Sequence, residues 1–81
     1  MTLFEYVMEQ HKNNLSATLS DLSNRIMADI CFNKWEGFDT EINLKTLGIE
    51  RNYQNEIFKA VNEKYPNEFE IKNDILKKKE N

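Results

Sequence analysis

The sequence is poor in residues on which many small folds depend. It has one cysteine, one histidine, one proline, one tryptophan and two glycines in 81 residues. A single thiol, Cys31, cannot close an intrachain disulfide, so the chain does without the cross-links of small secreted domains. One His and one Cys do not supply the three or four ligands of a zinc centre. There is no glycine-rich phosphate loop, no paired-cysteine motif and no helical His-Glu zinc motif. No apolar run approaches the ~20 residues that cross a bilayer. The stretch Met1 to His11 carries Glu5 and Glu9 where a secretory leader needs positive charge. These absences predict a cytoplasmic protein with no cofactor, no metal and no membrane contact. The Asn14-Leu15-Ser16 sequon has no use in that compartment.

Excess positive charge is also missing. Fourteen acids face eleven bases, a net charge of -3. Through Pro66 there are ten acids and seven bases, and from Asn67 onward four of each. A nucleic-acid binder draws most of its non-specific affinity from a basic field, so the balance disfavours that class. The chain is one domain at most, and it buries only ~60–65% of its unfolded surface. So thin a core rarely encloses the roughly 300 Å³ of a small-ligand pocket, which disfavours an enzyme and a small-molecule substrate. Abundant Asn, Lys, Glu and Ile match the coding bias of a low-GC bacterium or its mobile element.

What is present reads as helix. Thr2 and Glu5 form a capping box. Leu3, Phe4, Val7, Met8, His11 and Leu15 then repeat at steps of three and four, and Asn13-Asn14 favours a stop. Thr18 and Asp21 read as a second capping box, opening a helix from Leu19 to Cys31. The segment Phe32 to Phe38 breaks the period and reads as an aromatic loop. Asp39 or Thr40 would cap a short third helix ending near Leu47. Gly48 at C′ and Ile49 packing back on Leu44 would close it as a Schellman motif. A longer helix starts near Asn52 and ends before Pro66. Phe69, Lys72 and Leu76 suggest a last short helix, with Lys77-Lys78-Lys79 at its C-terminal dipole. No strand pattern competes. The expected fold is all-α, a compact bundle of four or five short helices. A domain over 1–66 would be followed by a short helix and charged tail over 67–81.

Two stretches resemble known families. Leu44-Lys45-Thr46-Leu47-Gly48-Ile49, followed by Ile57-Phe58-Lys59-Ala60-Val61, resembles the end of a sterile-alpha-motif (SAM) domain. Phe4-Glu5-Tyr6, Leu19 to Asn24, Asp29, Phe32 with Lys34, and Glu41-Ile42 resemble the YozE-like family of small bacterial proteins. Asn33 stands where that family usually has proline. The resemblance implies a SAM-like helical fold and no enzymatic activity. SAM domains generally self-associate or pair with other modules, and some bind RNA.

Each candidate residue has a functional and a structural reading. His11 is a base or ligand, or a packed side chain; Cys31 is its partner in a dyad, or a small buried hydrophobe. The 47–59 segment reads as a helix-turn-helix offering Arg51, Asn52, Gln54, Asn55 and Lys59 to DNA. Glu50, Glu56 and Glu63 oppose that reading, and the same residues equally describe a solvated face. The SAM resemblance implies a head-to-tail contact. Glu50, Arg51, Asn52 and Lys59 would form one side, and Asp29, Glu36, Asp39 and Glu41 the other. Trp35 and Phe38 are loop anchors for a partner or seals of the core. The expected function is a non-enzymatic protein–protein interaction module, with self-association as one form. A small nucleic-acid-associated regulator using residues 47–59 is the alternative.

Overall fold

The computed structural model describes residues 1–31 and 41–79, with Ile30 and Cys31 described by their backbone alone. The elements are α1 (Leu3–Gln10), α2 (Leu15–Cys31), β1 (Glu41–Asn43), α3 (Arg51–Lys64), β2 (Phe69–Lys72) and β3 (Ile75–Lys78). The strands form one antiparallel sheet in the order β1-β3-β2. The fold is α+β. The expected all-α, SAM-like bundle is overturned by this sheet.

The capping box at Thr2 forms as expected. Thr2 Oγ1 accepts from the Glu5 amide at 3.2 Å, and Glu5 Oε1 accepts from the Thr2 amide at 3.2 Å. After α1 the chain turns through Lys12 and Asn13, both left-handed at φ 54° and 63°. Asparagine tolerates that conformation better than most residues. Helix α2 starts at Leu15 rather than Leu19. Asn14 is its cap, with Oδ1 accepting from the Ala17 amide at 3.0 Å. Thr18, the expected cap, is fully buried inside the helix. Its hydroxyl donates to the Asn14 carbonyl at 2.7 Å instead.

The expected third helix is not formed by the described residues. Strand β1 occupies its middle. Asn43 Oδ1 then accepts from the Lys45 and Thr46 amides at 3.0 and 3.3 Å, an Asx turn that ends the strand. The Schellman bonds are nevertheless present. The Gly48 amide donates to the Lys45 carbonyl at 2.9 Å and the Ile49 amide to the Leu44 carbonyl at 3.1 Å. Gly48 sits at φ 85°, and Leu44 and Ile49 are both buried. The helix-ending turn forms, but on a strand.

The expected last helix is a hairpin. Phe69-Glu70-Ile71-Lys72 alternates apolar and polar, the period of a half-buried strand. Asn73 and Asp74 both have positive φ, 52° and 68°, the backbone of a type I′ two-residue turn. Ile42, Leu76 and Ile71 share one register row. With Phe69 they make the inner face of the sheet, because side chains alternate along a strand. Phe69 and Leu76 join Val7, Leu22, Ile26, Leu44, Ile49, Ile57 and Val61 in the core. Helices α1, α2 and α3, the 44–49 turn and the hairpin therefore share one apolar centre.

Candidate interaction surface at the start of α3

Three separate pieces of chain converge on the first turn of α3. The first is the start of α1, where the Phe4 amide donates to the Leu47 carbonyl at 2.9 Å. A side chain at Gly48 would run into the Thr2 side chain, which packs directly against the glycine. The second is the turn ending at Ile49. The third is the hairpin turn, where the Leu44 amide donates to the Asp74 carbonyl at 2.8 Å.

Asp74 is the hub of the hairpin contact. Its Oδ1 accepts from Arg51 Nε at 3.0 Å and from Gln54 Nε2 at 3.0 Å. Its Oδ2 accepts from Arg51 Nη2 at 3.4 Å, so the pair is bidentate. Gln54 is 4% exposed and also donates to the Ile49 carbonyl at 3.0 Å. The bond from Arg51 is the main cause holding the Asp74 carboxyl below its ordinary range, with Gln54 second. The same bond raises the Arg51 guanidinium further. The Asp74 side chain is 13% exposed, while that of Arg51 is 76% exposed.

Around this turn lie three open hollows. One of about 360 Å³ runs past Lys45, Gly48, Glu50, Arg51 and Asp74. A second of about 290 Å³ lies between α3 and the hairpin, past Arg51, Asn55, Lys72 and Asp74. A third of about 370 Å³ lies between α1 and α3. It is bordered by the Phe4 and Tyr53 rings, which stack at 5.7 Å and 8°.

The candidate residues divide accordingly. Glu50, Arg51 and Asn52 are exposed together at this end. Lys59 is exposed two turns further along α3, roughly 10–12 Å away at 1.5 Å per residue. Glu41 is exposed on the sheet's outer face, in one row with Lys77 and Glu70. Lys77 Nζ lies 3.6 Å from Glu70 Oε1. Trp35, Glu36, Phe38 and Asp39 lie outside the described residues, as does the Cys31 side chain. Sequence reasoning missed Asp74 and the inward role of Gln54, as well as the Phe4–Tyr53 pair. Asn73-Asp74 between two apolar stretches was the available turn signal.

Among the described residues the helix-turn-helix is not present as such, because strand β1 stands where its first helix belongs. Lys45 and Lys72 border the hollows beside Arg51, but Lys59 and the C-terminal lysines do not converge on it. The Asn73-Asp74 turn sits beside Arg51, and β3 runs away from it, carrying Lys77 and Lys78 to the far end of the hairpin. The Lys79 amide there donates to the Glu68 carbonyl at 2.9 Å.

His11 Nε2 is 2.8 Å from Asp21 Oδ2, and Arg25 Nε donates to Asp21 Oδ1 at 2.8 Å. The three side chains tie the end of α1 to α2. The hydrogen bond with His11, then that from Arg25, keeps the Asp21 carboxyl below its ordinary range. Among the described residues no group of three or more His, Cys, Asp or Glu is placed to hold a metal. No helix among them is long and apolar enough to cross a membrane. Comparison with family models, curated proteins and solved structures finds no match.

Proposed function

We propose that this chain is a non-catalytic protein–protein interaction module whose contact surface is the N-terminal end of α3, centred on Glu50, Arg51 and Asn52. One observation carries the reading. The Arg51 guanidinium is fixed by two bonds to Asp74, yet 76% of the side chain stays in solvent. Arginine is enriched among the residues that dominate interfaces, and its fork of five donors recognises carboxylates and carbonyls. Ordering a long side chain on binding costs about 0.5–1.5 kcal/mol, and Asp74 removes part of that cost beforehand. The surrounding hollows give the surface relief, and the converging backbone gives it stiffness.

A protein partner suits this surface better than nucleic acid. Arg51 and Lys59 share α3 with exposed Glu56 and Glu63, and Glu50 stands immediately before it. Mixed charge complements a protein face and opposes a phosphate backbone. Self-association is the simplest form of the proposal. Sedimentation equilibrium tests it across concentration at low and moderate salt. The expected weight-average mass rises above the 9.7 kDa chain, and Asn52→Glu lowers it again. That substitution leaves the Asp74 contacts intact and favours the helix dipole, so lost association does not mean unfolding. A mass equal to one chain in every condition contradicts self-association.

A further inference from the structure

The hollow between α1 and α3 has a chemical character of its own. Phe4, Tyr53 and Met8 line it, and the acidic groups that border it are the carboxylates of Glu5 and Glu50. No lysine or arginine lines it among the described residues. We propose that this hollow receives the cationic side chain of a lysine- or arginine-bearing segment of a protein partner. The inference rests on the reading of the α3 end as a contact surface and names the chemistry of what it contacts.

A basic side chain has two parts, an apolar stem and a charged head. The rings and the Met8 side chain suit the stem. The rings stack on each other, so each has at most one outer face to attract a cation through its quadrupole, within about 6 Å of the centroid. The two carboxylates supply the countercharge. Glu5 is held in place by Thr2, whose amide and hydroxyl donate to Oε1 at 3.2 and 3.1 Å. Those bonds, the backbone one foremost, keep its carboxyl below the ordinary range. The amino terminus adds a weaker pull, from a Met1 that is 80% exposed and does not line the hollow. Glu50 precedes α3 without capping it through its side chain, which leaves its carboxylate for a ligand. At about 370 Å³ the hollow is within the roughly 300–1,000 Å³ of small-group sites. Two carboxylates and no bordering base repel an anion, and a neutral apolar side chain gains nothing from either charge.

The test uses the full chain, labelled for amide NMR. The probe is the peptide Ac-Gly-Lys-Gly-NH₂, and the control is the same peptide with its lysine acetylated. Saturable shifts at Phe4, Gly48 and Tyr53 are expected with the lysine peptide and not with the acetylated one. Glu50→Gln and Tyr53→Leu should each weaken binding by about two- to fivefold. Glu50→Gln removes no capping bond, so it reads the charge without the fold. Absence of saturable shifts, or equal shifts with the acetylated peptide, overturns the proposal. Either result leaves cross-linking from Asn52 free to succeed, so failure here is distinct from failure of the surface itself.

Discussion

Asp74 meets Arg51 across a separation of 23 residues, with Oδ1 3.0 Å from Nε. The contact fastens the hairpin turn to the start of α3 and fixes the orientation of the arginine. It places one residue in two tasks, since the guanidinium both closes the fold and faces solvent.

Removing the Asp74 charge tests the first task. Asp74→Asn keeps the shape but weakens the bidentate pair. Thermal unfolding should show Tm lowered by about 4–8 °C, the effect of losing one ordinary hydrogen bond in a domain of this size. The Arg51 Nε resonance should move toward the position of a free guanidinium. An unchanged Tm and an unmoved resonance would mean the pair fixes nothing.

Gln54 tests the inner half of the same junction. Its amide nitrogen donates to both Ile49 and Asp74 while the residue is 4% exposed. Gln54→Leu fills the volume and leaves both acceptors without that donor. Urea unfolding should show about 1–3 kcal/mol lost. A neutral result would mean that solvent satisfies those acceptors at no cost.

Gly48 combines a left-handed backbone with the Thr2 side chain packed where an added Cβ would sit. Gly48→Ala is therefore expected to cost about 1–3 kcal/mol in urea unfolding. The start of α1 should give way first. Amide exchange at Phe4, which donates to the Leu47 carbonyl, should then rise more than exchange within α3.

Acid should destabilise the protein through three carboxylates. Glu5, Asp21 and Asp74 all lie below ordinary values of 4.5, 3.8 and 3.8 in the fold. Thr2 is the main cause for Glu5, His11 for Asp21 and Arg51 for Asp74. As pH falls the unfolded chain takes up these protons first. The contribution is thus complete above the ordinary values and is lost as pH drops through the folded ones. Urea midpoints measured from pH 7 to pH 2.5 should be level to about pH 5 and then fall. Asp21→Asn should lower the plateau and flatten the fall. A midpoint independent of pH below 4.5 would contradict the three assignments together.

Much of the helical part was legible because its signals are local. The Thr2–Glu5 box, the turn at Gly48 and the stop at Pro66 each lie within a few residues of what they control. Thr18 misled because threonine before an apolar run resembles a cap. Asn14 captured that role four residues earlier, and the Thr18 hydroxyl bonded back to its carbonyl. The sheet was hidden for a different reason. Its strands are three or four residues long, too short for a period of two to stand out. Phe69, Lys72 and Leu76 also fit steps of three and four. What decides for strands is the pairing of Ile42 with Leu76, 34 positions apart, and no local pattern carries that. Of the candidate surface, the exposed Glu50-Arg51-Asn52 group was readable. Its anchoring by Asp74 was not, because that depends on the same long-range pairing.

Face-specific contact is tested most directly by photo-cross-linking. A benzophenone side chain is placed at Asn52, or at Glu63 eleven positions along α3, roughly 17 Å away on the same exposed side. Both are exposed, so neither substitution disturbs the core. Each variant is irradiated as the full chain at the concentrations used for sedimentation and in cell extract. The expected result is a discrete adduct from Asn52, at twice the chain mass if the partner is a second copy, and little or none from Glu63. Equal adducts from both positions, or none from Asn52, would contradict a binding surface at the start of α3.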